Sequence, residues 1–412
     1  MERPLSGMER MMYIHSTSEN AFTCARIRGP LDEAMLRRSL DRLQRKHPLL
    51  GARVIHKHGV LTFTTEAVSP IPLQLTSDDG SGQSFVKVIE EELVTPLDRT
   101  TGPLVRCTLV RHREGARTEL ILTVDHTIAD GTACLHAIRD LLTSDPTSEG
   151  ERGPATLPSP ITHLIPASLI DAGPSPLPSR DALPHSRSPF SVSTTGFKLF
   201  FTQLAREPLQ VLVQRCKQQE VTVHAAVCAA FAAAFAETFG KTTTVTLSSP
   251  VTLRPRLDPS ERESFSCSIG FTRFHVDVSP ASAFWERARA VRRQLRETTD
   301  LELFGPLAAI DAAHRAERDD AGFLRRLSQQ GAGHELSITN LGRQPIPSRY
   351  GELTLEALYG GSGLPGEVVI GLYTLDDTMH VTFCTNGLSP EENDAVGRMV
   401  ASALSRLSLL PQ

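Results

Sequence analysis

From Val124 to Gly131 the chain reads Val-Asp-His-Thr-Ile-Ala-Asp-Gly, so an imidazole, His126, stands four residues before a carboxylate, Asp130, and a glycine closes the run. Histidine changes its charge closest to neutral pH, so one held rigidly in a cleft can take a proton and return it. The carboxylate fits a different task, holding the loop. The run follows the apolar stretch Leu120–Val124 and precedes Gly131–Leu142, where Leu135, Ile138, Leu141 and Leu142 share one side of an amphipathic helix. Along a strand, successive side chains face opposite ways, so Asp125 and His126 point apart and only one can face a given cleft. Gly131 permits backbone angles closed to other residues, which suits a sharp entry into the helix. A histidine at a strand end also serves as a hydrogen-bonded structural residue, and the spacing alone leaves both readings open.

Other chemistries have weaker support. Seven scattered cysteines include no Cys-x-x-Cys, which fits neither a disulfide framework nor a zinc site and suits a reducing compartment. His56 and His58 share a strand face without a third ligand nearby, so no metal site is expected; His224 and His334 read as structural. There is no Gly-x-Ser-x-Gly elbow and no recognisable Cys-His pairing, which disfavours a covalent acyl-enzyme. The glycine-dense Tyr359–Gly366 lacks the Lys-Ser/Thr of a phosphate loop. With a net charge of −4 there is no electrostatic case for nucleic acid. The first residues show no signal peptide, and the alanine-rich Val223–Ala236 is too short to span a membrane, so a cytoplasmic protein with a buried helix is expected.

These residues need a scaffold. Ten of the 28 prolines lie between Pro146 and Pro189, a density that regular structure does not tolerate. The predicted organisation is a lobe over 1–145, a linker over 146–190 and a second lobe over 191–412. In the first, Thr23–Arg28 reads as a strand, Leu31–Lys46 as a helix, Val54–Thr65 as a hairpin turning at His58-Gly59, and Leu104–Arg111 with Leu120–Asp125 as another. In the second, Phe197–Leu204 and Thr242–Leu247 read as strands, the latter ending at Ser248-Ser249-Pro250. Helices are predicted over Pro208–Lys217, Thr222–Phe239 with Thr222 as N-cap, Trp285–Thr298 and Pro306–Leu327, before strands at Leu353–Leu358, Val368–Leu375 and Met379–Cys384. Both lobes are α+β, with strands too irregularly spaced for a Rossmann alternation.

Asp125-His126-Thr127-Ile128-Ala129-Asp130-Gly131 resembles the His-His-x-x-x-Asp-Gly motif of the condensation-domain and chloramphenicol acetyltransferase-like superfamily. Arg3-Pro4-Leu5-Ser6, Lys46-His47-Pro48-Leu49-Leu50 and Ser249-Pro250-Val251-Thr252-Leu253-Arg254 are similar to the same family. The nearest group is the stand-alone, polyketide-associated acyltransferases of the phthiocerol/phthiodiolone dimycocerosyl transferase type. The resemblance is weakest in the proline-rich linker and after about residue 275.

The resemblance implies an α+β fold of two chloramphenicol acetyltransferase-like lobes in a V-shaped pseudo-dimer, with a tunnel between them. It implies His126 as the catalytic histidine, with Asp130 and Gly131 as structural motif residues. It also implies a salt bridge from Asp130 to an arginine of the second lobe, Arg254 or, failing that, Arg256. The family's first histidine is Asp125 here, which leaves His126 without a second imidazole; Asp125 is expected to hydrogen-bond locally or help orient substrate. Asn340, in Ser337-Ile338-Thr339-Asn340-Leu341-Gly342, is either a substrate-orienting group or part of a turn, and Tyr359–Gly366 fits the segment that crosses between lobes.

The expected function is a stand-alone O-acyltransferase without a bound cofactor or metal. Its acyl donor would be a thioester of phosphopantetheine on a separate carrier protein or of coenzyme A, since no phosphopantetheine attachment serine is found in this chain. The acceptor would be a small-molecule alcohol, with an amine, and so amide formation, as the alternative; a catalytically silent docking module is a third reading. A monomer is expected.

Overall fold

The computed structural model describes residues 1–15, 20–112, 117–143, 156–171, 196–329, 333–343, 346–362 and 368–409. The predicted linker lies mostly outside these.

The described elements run in the order β1 (Glu2–Pro4), α1 (Gly7–His15), β2 (Asn20–Arg28), α2 (Glu33–Lys46), β3 (Arg53–Lys57), β4 (Val60–Thr64), β5 (Leu73–Ser77), α3 (Ser84–Val94), β6 (Val105–Arg111), β7 (Arg117–Asp125), α4 (Gly131–Leu142) and α5 (Ala167–Asp171). They continue with β8 (Phe197–Leu204), α6 (Arg206–Gln218), α7 (Val223–Phe239), β9 (Thr244–Thr252), β10 (Ile269–Asp277), α8 (Phe284–Arg296), α9 (Asp300–Ala316) and α10 (Asp320–Gln329). Last come β11 (Leu336–Arg343), β12 (Arg349–Tyr350), β13 (Leu353–Gly361), β14 (Val368–Leu375), β15 (Thr378–Asn386) and α11 (Pro390–Ser408). Two six-stranded sheets, ordered β12-β13-β2-β7-β6-β5 and β10-β9-β11-β14-β15-β8, form two lobes; β1-β4-β3 form a small third sheet.

Local chemistry explains much of this. His58 and Gly59 both take positive φ, 52° and 77°, the conformation a two-residue hairpin turn between β3 and β4 requires. The Thr222 side chain caps α7 through Ala225 N, and Gly240, at φ 68°, ends it. Apolar on every side, α7 is buried from Ala225 through Ala236. Among the described residues no single helix is long and apolar enough to cross a membrane.

Three departures from expectation have physical causes. The helix predicted to start at Pro306 starts at Asp300 instead, where Thr299 and Glu302 form a capping box, and Pro306 lies inside it. A break after Ala316 then separates α9 from α10. Strand β9 does not stop at Ser248-Ser249-Pro250: it continues to Thr252, with Pro250 opposite Phe271 of β10. Proline is tolerated there because β11 pairs with β9 only at Leu247 and Ser248, so that edge is already open. Third, β12 and β13 come from the second half of the chain yet extend the first lobe's sheet, β13 pairing with β2 from Arg28↔Thr354 to Phe22↔Gly361.

Candidate functional site

Strand β7 ends at Asp125, and a tight turn carries the chain into α4. The Asp125 carboxylate accepts from Thr127 N at 2.9 Å, and the Ile128 amide donates to the Asp125 carbonyl at 3.1 Å, so His126 sits on a turn pinned at both ends. Asp125 itself is buried, paired with Arg99, and does not line the cavity described below. Arg99 also donates to the Tyr13 carbonyl at 2.6 Å and stacks its guanidinium over the Tyr13 ring, tying the turn to α1. A substrate-orienting part for Asp125 does not fit this burial.

Asp130 is the N-cap of α4, accepting from Ala133 N at 2.8 Å. Both of its oxygens also accept from Arg254 Nη2, at 3.1 and 3.0 Å, and Oδ2 accepts from Ser268 N at 2.8 Å. Arg254 and not Arg256 makes this bridge; Arg256 pairs with the exposed Asp300 instead. Arg254 Nη1 donates to the carbonyls of Arg262 and Ser264, and Nη2 donates to that of Ser266 as well. With four donor contacts aimed at it, the Asp130 carboxylate is committed to holding structure.

Gly131 does not take a positive φ; it begins α4, and its need is space. A Cβ there would stand 3.0 Å from Leu341 Cδ1 and 3.6 Å from the Tyr373 hydroxyl. Leu341 arrives because a bulge between Asn340 and Gly342 interrupts the pairing of β11 with β14. Asn340 is part of that turn, its Oδ1 accepting from Gly342 N at 2.8 Å, and it also lines the cavity described next.

A cavity of about 360 Å³ opens between the lobes, with His126 in its wall. One part of the lining is apolar, including Met11 and Met12 of α1, Phe22 of β2, Ile269 and Phe271 of β10 and Val369 of β14. Hydroxyls and one amide supply its polarity beside His126 and Asp130: Thr23, Thr132, Thr252, Ser337, Thr339, Asn340, Ser362 and Tyr373. Among the described residues no lysine, arginine or glutamate lines it, and the one carboxylate, Asp130, is ion-paired. Burial pushes the Cys134 thiol up to about 12 and the Tyr373 phenol well above its ordinary range, so both stay neutral. Among the described residues no cluster of His, Cys, Asp and Glu could hold a metal ion.

Two residues of this site carry no signal in the sequence. Tyr373 of β14 sends its hydroxyl between Gly131 and Gly360, facing Thr23. Cys267 places its sulfur 3.9 Å from His126 Nδ1, from 141 positions away in the chain.

Residues 193–371 match the family model of the phthiocerol/phthiodiolone dimycocerosyl transferase C-terminus, well past the point where the sequence resemblance weakens. A linear gramicidin synthase of Brevibacillus parabrevis is 30% identical over 149 residues, which are 34% of this chain and 3% of that protein, so the chain matches only a small part of its length. Among solved structures, the first condensation domain of the calcium-dependent antibiotic synthetase, in complex with a substrate analogue, superposes with a TM-score of 0.72 at 20% identity, covering 100% of this chain and 98% of that one. The trichothecene 15-O-acetyltransferase of Fusarium sporotrichioides gives 0.71 at 12% identity, covering 98% and 94%.

Proposed function

We propose that this chain, which has the fold of the condensation-domain and chloramphenicol acetyltransferase-like superfamily, is an O-acyltransferase. It would transfer an acyl group from a thioester, on a carrier-protein phosphopantetheine or coenzyme A, to a small-molecule hydroxyl. The observation that carries this reading is an imidazole, His126, in the wall of a cavity between the lobes whose one carboxylate, among the described residues, is ion-paired.

The chemistry runs as one addition and one elimination. His126 takes the acceptor's hydroxyl proton as the oxygen attacks the thioester carbon. The tetrahedral oxyanion then re-forms its carbonyl, the carbon–sulfur bond breaks, and the imidazolium returns the proton to the departing thiolate. General-base help of this kind is typically worth 10²–10⁴-fold, about 3–5 kcal/mol at the transition state. The hydroxyls of Tyr373, Ser337 and Thr339 and the Asn340 amide are among the polar groups on the wall that can orient substrate or meet the oxyanion.

The absence of a free charge on the described cavity wall favours a neutral alcohol. An amino-acid acceptor would bring a carboxylate into a space whose described wall offers no counter-ion, at a large desolvation cost. The intact His126, Asp130 and Gly131 favour an enzyme over a silent docking module.

The test is a mass-spectrometric assay offering a panel of acyl-coenzyme A and acyl-carrier thioesters with apolar alcohols and amines in competition. Ester products that depend on His126 support the reading. Amide as the main product would replace the acceptor class, and no product from any pair would reject acyl transfer.

A further inference from the structure

His126 has a neighbour whose presence follows from the lobe-bridging ion pair. Arg254 grips the carbonyls of Arg262, Ser264 and Ser266, and Asp130 takes the amide of Ser268. The segment just before β10 is thus held through its backbone. Held this way, it presents the Cys267 side chain to His126, with sulfur and Nδ1 3.9 Å apart, within reach of a hydrogen bond to sulfur. The Ile269 amide also turns toward that sulfur. Burial keeps the Cys267 thiol far above its ordinary range, and the nearby Asp130 carboxylate adds to this, so the sulfur is a neutral partner and not a thiolate.

We infer that Cys267 is a positioning residue for His126: its sulfur accepts from Nδ1–H, which fixes the ring and leaves the lone pair on Nε2 for the substrate. The ring's other nitrogen is what sets a histidine tautomer, and a general base works only if the substrate-facing nitrogen is unprotonated. A neutral sulfur is a weak acceptor, so it selects the tautomer without the charge a carboxylate would bring. The kinetic side of this inference rests on the acyltransferase reading above; the tautomer does not.

The decisive measurement is the long-range ¹⁵N–¹H correlation spectrum of histidine rings in the full-length protein. The His126 signals would be assigned by their loss in His126→Ala. The expected pattern is Nδ1 protonated and Nε2 bare. Cys267→Ala should shift the ring toward the other tautomer, while Cys267→Ser, which keeps an acceptor, should preserve it. Because the frame is held through backbone groups, thermal melts of both variants should match the parent. In the acyl-transfer assay Cys267→Ala should lose about tenfold in kcat with KM little changed, and Cys267→Ser should recover most of it. A parent His126 protonated at Nε2, or ring signals unmoved in Cys267→Ala, would overturn the inference. If the parent transfers no acyl group, the spectra still decide Cys267, and the acyltransferase reading is what fails.

Discussion

Asp130 and Arg254 stand 124 positions apart in the chain and meet through both carboxylate oxygens and one guanidinium nitrogen, each side chain almost fully buried. Each belongs to a different lobe. Asp130 starts α4, and Arg254 follows the end of β9, so the pair joins the two halves beside the cavity.

Removing one member leaves the other charged, buried and unpaired. Arg254→Ala should therefore lower the unfolding free energy by about 3 kcal/mol or more. Urea unfolding monitored by circular dichroism would measure it. Stability equal to the parent would reject the pairing as a structural brace.

The catalytic assignment separates cleanly from stability. His126 contacts the Cys267 sulfur and lies at the cavity wall. His126→Ala should keep the parent's melting temperature and lose at least about 100-fold in turnover. Product formation at the parent's rate would remove His126 from the reaction.

Gly360 has no room for a side chain. A Cβ there would fall onto the Tyr373 hydroxyl oxygen, 2.8 Å from the ring carbon Cζ. Tyr373 is buried and cannot swing away, so Gly360→Ala should destabilise the protein by about 1–3 kcal/mol. Adding Tyr373→Phe removes the nearest atom and should restore part of the loss, read as a partial recovery of the melting temperature.

Three histidines withdrawn from water, His380 buried and His224 and His334 half-buried, make stability depend on pH. Burial lowers His224, His334 and His380 to about 4 each, from an ordinary value of 6.5. The unfolded chain therefore binds protons that the folded one refuses, and stability falls as pH drops from 6.5 toward 4. Each histidine contributes up to about 3 kcal/mol to that loss. Unfolding measured at pH 7, 6 and 5 should show the decline, and His380→Leu should make it shallower. A stability constant between pH 7 and 5 would contradict neutral burial of these rings.

The parts legible in the sequence are those fixed by near neighbours. The His58-Gly59 turn, the Thr222 cap and the span Gly131–Leu142 depend on residues within a few positions, and each is where the local chemistry puts it. His126 stands out for the same reason. Arg254 is reachable only through family likeness, since nothing near it in the chain points to Asp130. Cys267 and Tyr373 are not legible at all: their places come from a clamp on backbone carbonyls and from Gly360, whose missing side chain leaves room for the phenol. A helix start placed at Pro306 gives proline too much authority over a strong cap at Thr299.

The pairing of β13 with β2 also sets how the protein can be handled and how it can move. Cutting the chain after residue 143 would strip the first lobe of the strand that covers the β2 edge, leaving a long unpaired ladder ready to stick to another copy. The halves are therefore one folding unit and should not express as separate fragments. Any movement of one half against the other must carry β13 along with the first lobe's sheet, although the chain around it belongs to the second half.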